Sequence, residues 1–137
     1  MLRFLNRVLR RLGGCRRGAT AVEFGILLPI YLIMVLGVVE VGRALWIKSS
    51  LQFACEEAAR YAIVNTSATT TTVEEYALTR LTNTGINTTG VTFTAAQDTV
   101  GSVNFMTISG TYNFTVLVEL VPMPDVTLNA KSRVPLS

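Results

Sequence analysis

The chain has 137 residues, with no histidine and two cysteines. The missing imidazole removes the commonest general base, the Ser-His-Asp and Cys-His constellations and most zinc sites. The first eighteen residues hold six of the twelve basic side chains and none of the nine acidic ones, so the remainder carries a formal charge of −3 and offers no basic face to nucleic acid.

Arg3, Arg7, Arg10, Arg11, Arg16 and Arg17 make residues 1–18 a basic leader, with Leu2, Leu5, Leu9 and Leu12 at helical spacing between them. Such a segment can lie on a membrane surface as an amphipathic helix. A mitochondrial presequence has the same composition, but a presequence makes no use of the pattern at residues 18–24. Leu12-Gly13-Gly14-Cys15 imitates a lipoprotein cleavage box, yet it comes after arginines where that box needs an apolar run.

Gly18-Ala19-Thr20-Ala21-Val22-Glu23-Phe24 sets a carboxylate at the threshold of an apolar run reaching to Glu40. An ionised side chain deep in hydrocarbon costs roughly 2.5–3.5 kcal/mol even on the mildest insertion scale. The uncharged stretch spans only about 24 Å as a helix, against about 30 Å for a bilayer core. Glu23 or Glu40 therefore lies at or just inside a boundary. The leader arginines place the N terminus in the cytoplasm. Arg16 and Arg17 on that side, and Arg43, Trp46 and Lys48 on the other, are the expected interfacial anchors. Residues 19–46 then form a single membrane span, and residues 47–137 are exported as one small domain. Glu40 and Arg43, three apart, make an interfacial pair.

The helical pattern continues past the span. Ile47, Leu51, Ala54, Cys55, Ala58 and Ala62 repeat at three- and four-residue spacing, with Gln52, Glu56, Glu57 and Arg60 opposite. One helix of roughly 69 Å is predicted from Ala19 to about Val64, interrupted by Pro29, which removes a backbone bond and predicts a kink at residues 25–27. Cys15 and Cys55 fall on opposite sides of the membrane and cannot pair within one chain, and Cys55 reads most simply as a small apolar residue on a packed helix face, with an intermolecular disulfide or lipid attachment as the second reading. Residues 65–72 are rich in β-branched polar side chains and read as a loop. A short helix is predicted over residues 73–81, with Glu74 and Glu75 in its first turn, Arg80 in its last and Gly85 as a stop.

Residues 91–95, 103–114 and 126–134 are rich in Val, Thr, Phe and Tyr and predict three or four antiparallel strands, separated at Asp98, Gly101 and the segment 122–125. Met106, Ile108, Tyr112 and Phe114 share one face, which is expected to pack on the Ile47 stripe. Residues 117–121 fit either a continuing strand or a turn of helix. The fold class is α+β.

Gly18 followed by Glu23 and Phe24, then a proline-containing apolar span with Gly37, Glu40, Gly42 and Arg43, resembles the TadE-like pseudopilins of tight-adherence (Tad, type IVc) pili, most closely over residues 17–61. The resemblance implies cleavage between Gly18 and Ala19 by a prepilin peptidase, methylation of the new amine and storage in the bacterial inner membrane. It further implies assembly with other Tad subunits and the assembly platform, with incorporation into a surface pilus, adhesion and biofilm formation as consequences. Glu23 then pairs with the terminal amine of a neighbouring subunit, with Phe24 beside it. Read from charge alone, Glu23 could instead sit among headgroups neutralised by Arg16 or Arg17. No cofactor, metal or small-molecule substrate is implied, and no catalytic residue. The competing reading is an uncleaved, signal-anchored envelope protein with an exported binding domain, which leaves the Gly18 to Phe24 pattern unexplained.

Overall fold

A computed structural model describes residues 16–117 and 124–136. The expected amphipathic leader helix, and most of the segment 117–121, lie outside the described residues. The elements run α1 (Arg16–Val64), α2 (Thr70–Thr82), β1 (Val91–Val100), β2 (Val103–Phe114) and β3 (Val126–Leu136). This is an α+β arrangement, with a three-stranded antiparallel sheet in the order β1-β2-β3. The chain divides into two compact units, one ending at Val38 and the other beginning at Val39.

In the first unit α1 runs through Pro29. Its apolar side chains face outward, and one helix near the N terminus is long and apolar enough, by length and composition, to cross a membrane.

In the second unit α1 supplies one wall of the core. Ile47, Leu51, Ala54, Cys55, Ala58 and Ala62 are all buried, as their spacing predicts, and Ala59 joins them. The sheet supplies the other wall through alternate residues: Phe93 and Ala95 on β1, Met106 and Ile108 on β2, Ala130 on β3. The small alanines of the stripe let helix and sheet approach closely. Gly110 marks the tightest point, where a Cβ would lie 2.8 Å from Cε1 of Phe93 and 3.1 Å from Cδ1 of Leu51. Cys55 is fully buried, and burial pushes its thiol pKa up to about 11. Tyr112 is only half-buried, whereas Met106, Ile108 and Phe114 are buried as expected.

Three sequence expectations need correction. Helix α2 begins at Thr70, not Val73, because Thr69 caps it: its Oγ1 accepts from the Thr72 backbone N–H at 3.3 Å, while the Thr72 hydroxyl donates to the Thr69 carbonyl at 2.9 Å. Threonines that disfavour a helix interior are at home in this first turn. Glu74 and Glu75 consequently lie beyond the first turn, and Glu74 Oε1 accepts the Ala95 backbone N–H of β1 at 2.7 Å. Strand β1 continues past Ala95 to Val100, with Asp98 opposite Phe105. The Asp98 charge is tolerated there because it is exposed and faces Arg133, whose Nη2 lies 3.2 Å from Oδ2. Gly101, at φ +65°, takes the first central position of the two-residue turn into β2.

Helix α2 buries Val73, Ala77 and Leu81, at i, i+4 and i+8, and packs against β1. Tyr61 of α1 stacks on Tyr76 of α2 with ring centroids 4.3 Å apart. At the opposite edge of the sheet, the Gln52 side chain grips β3, donating to the Lys131 carbonyl at 3.3 Å and accepting from its N–H at 3.4 Å. That contact partners backbone groups of an edge strand, where unpaired groups would invite pairing with other chains.

Candidate functional site

Gly18 and Ala19 lie inside α1, with Gly18 exposed. A Cβ built on Gly18 would meet nothing within 4 Å. A helix-interior glycine costs roughly 0.5–1 kcal/mol relative to alanine, and at Gly18 no neighbouring atom among the described residues requires it. The contrast with Gly110 is direct, since there the fold leaves no room for a side chain.

Glu23 lies one turn beyond Ala19 and is exposed, and Phe24 beside it is 63% exposed. Among the described residues Glu23 has no hydrogen-bond or ion-pair partner. Arg16 and Arg17 open α1. Trp46 and Lys48 stand exposed on α1.

Arg43 is turned inward instead. Its Nε and Nη2 donate to Glu40 Oε2 at 3.0 and 2.8 Å, Nη2 also donates to the Thr115 carbonyl, and the guanidinium lies 4.2 Å from the centroid of the Phe114 ring. Glu40, only 3% exposed, uses its other oxygen to accept the Leu117 backbone N–H at 2.8 Å. The i,i+3 pair expected from spacing is therefore present, and it does more than neutralise two charges. It fastens the end of β2 to α1 across more than seventy residues of chain. A carboxylate that accepts both an Arg fork and a backbone N–H is held by charge-assisted bonds, which offset the penalty of burying it.

Sequence reasoning placed this pair without its long-range partners. A signal was present: Glu40 stands seven residues before Ile47, and so continues the buried stripe one heptad toward the N terminus. A charge on a core-facing position needs a partner from the element packed against it. No group of three or more His, Cys, Asp or Glu side chains suited to a metal occurs among the described residues.

Residues 18–60 match the family described as TadE-like protein, a match that begins at Gly18 and ends within the buried stripe of α1. It makes this segment TadE-like, which is consistent with a protein of the Tad pilus system. No curated protein and no solved structure matches the chain.

Proposed function

We propose that this chain, TadE-like over residues 18–60, is a minor pilin or pseudopilin of a Tad pilus that is cut between Gly18 and Ala19 and acts by assembly, without catalysis. The observation that carries this reading is the pairing of a sterically unneeded glycine with an exposed glutamate five residues on, at the head of a helix whose next turns expose apolar side chains. A peptidase that reads a residue without a side chain accounts for Gly18. Removal of six arginines then frees the helix from its cytoplasmic anchor.

Before assembly the protein resides in the bacterial inner membrane, with residues 1–18 in the cytoplasm, residues 19–46 in the bilayer and residues 47–137 in the periplasm. Trp46 and Lys48 suit the outer interface, where amphipathic rings and snorkelling amines settle. Its partners are the prepilin peptidase, the other Tad subunits and the assembly platform, and adhesion and biofilm formation result from pilus assembly. After cleavage the new amine of Ala19 and the Glu23 carboxylate of a neighbouring subunit are opposite charges in a poorly screened environment. Such a pair sets register more than it adds stability.

N-terminal mass spectrometry of the chain extracted from membranes containing the peptidase tests this. The expected product begins at Ala19, and Gly18→Ile abolishes it. A product that still carries residues 1–18 in the presence of active peptidase overturns the proposal in favour of an uncleaved, signal-anchored protein.

A further inference from the structure

We propose that the backbone leaving β2, at Val116 and Leu117, is a second point of membrane contact, seated in the lipid interface beside α1. The inference rests on the reading of residues 19–46 as a membrane span and adds a site that the span does not require. Two ties fix this segment. Arg43 holds the Thr115 carbonyl, and Glu40 holds the Leu117 N–H at 2.8 Å. The two ties converge, because the Arg43 Nη2 that holds Thr115 also lies 2.8 Å from Glu40 Oε2, so the strand end is gripped at the level of the Glu40 carboxylate. Helical side chains lean toward the N terminus, so the carboxylate that holds Leu117 lies level with the last turn of the uncharged run, at Val39.

Leu117 is 75% exposed in this position, and Val39 and Val41, which flank Glu40 in α1, are exposed as well. A single exposed leucine is ordinary on a soluble surface. This one differs because a nearly fully buried carboxylate fixes its backbone at the boundary of an apolar helix. Backbone polar groups that approach hydrocarbon lose water as a partner and are best satisfied within the protein, and Glu40 and Arg43 supply one partner each for Leu117 and Thr115. The two charges also satisfy one another, which permits a carboxylate this close to hydrocarbon. The occupant these features fit is lipid, at the border of headgroups and acyl chains.

The test uses the full chain with Cys15→Ser in phosphatidylcholine and phosphatidylglycerol vesicles, with Cys55 left in place because it is buried. An environment-sensitive fluorophore is attached at Leu117→Cys, at Val35→Cys within the span, or at Thr99→Cys near the tip of the β1–β2 hairpin. The expected result is a blue-shifted label at 117 that nitroxide-bearing lipids quench and aqueous iodide does not, as at 35, while iodide quenches the label at 99. Adding Glu40→Ala should return iodide quenching to 117 and leave 35 unchanged. Iodide quenching at 117 equal to that at 99 overturns the inference while leaving the span intact. A label at 117 shielded from both quenchers also overturns it, because the cover is then protein and not lipid. Absence of lipid quenching at 35 rejects the span reading itself and the inference with it.

Discussion

Over residues 22–46 the long helix exposes every large apolar side chain except Ile33 and Leu36, whereas over residues 47–62 it buries a side chain at each turn. Both stretches are regular helix, but residues 47–62 interleave Lys48, Gln52, Glu56, Glu57 and Arg60 with their apolar side chains, whereas residues 24–39 hold no charge. What separates them is the distribution of size and charge. The upper stretch confines its apolar residues to one stripe, uses alanine where the sheet comes close and places Gln52, Glu56 and Arg60 outside it. Between Phe24 and Val39 the lower stretch is apolar on all sides, and a helix of that kind needs an apolar surrounding, which the described residues do not supply. One half of the helix encodes a domain core, and the other is long and apolar enough to be a candidate membrane span.

The sharpest way to break this comparison is to truncate a leucine in each half. Leu51→Ala, at a fully buried position, should destabilise the folded domain by about 2–5 kcal/mol. Leu27→Ala, at a position 62% exposed, should leave domain stability within about 0.5 kcal/mol of the parent. Denaturant unfolding of the detergent-solubilised chain, followed by Tyr and Trp signals, measures both. Equal losses would mean that the lower half shares the domain core.

The glycines sharpen the same contrast at smaller magnitude. Gly110→Ala sets a methyl group against the Phe93 ring and Leu51, and should cost about 1–3 kcal/mol as the ring shifts. Gly25→Ala, where a Cβ meets nothing within 4 Å, should be neutral or stabilise the helix by up to about 1 kcal/mol. The same unfolding assay, run beside thermal loss of helical circular dichroism, distinguishes them.

Cys55 gives a pH signature to the buried half alone. Its folded thiol pKa is raised to about 11 by burial, above that of the unfolded chain, so the unfolded state loses its proton first as pH rises. The contribution is fully present below the ordinary thiol pKa and is lost as pH climbs from there toward 11, by an amount on the order of 2–3 kcal/mol. Cys55→Ala should flatten that part of the stability profile relative to the parent, with tyrosine and lysine titration common to both chains. Identical profiles would show that the thiol is not held neutral by the core.

Much of this architecture was legible in local pattern. The Ile47 stripe, the extent of the long helix, the antiparallel strands and the Glu40–Arg43 spacing all depend on neighbours within one or two turns or on strand alternation. Features set by distant partners were less legible. Leu117 and Thr115 are more than seventy residues from the side chains that hold them, and no periodicity announces the match. Gly110 looks like a strand breaker until the Phe93 ring and Leu51 occupy the space above it. The start of α2 is hidden because a run of threonines argues against a helix interior, while one threonine at the cap makes the next three acceptable. At Gly18 to Phe24 the reading comes from sequence pattern, and the fold contributes the observation that no neighbour among the described residues requires Gly18 or partners Glu23.

The most direct measurement of the central claim, that the outward-facing half of the helix serves assembly, is surface piliation by Glu23→Gln. The substitution keeps size and polarity but removes the charge available to a neighbouring Ala19 amine. The variant should still insert in the membrane and still be cut after Gly18, while assembled subunit and surface pili fall well below the parent level. Normal piliation with parental amounts of assembled subunit would contradict the intersubunit pairing and reduce Glu23 to an interfacial charge.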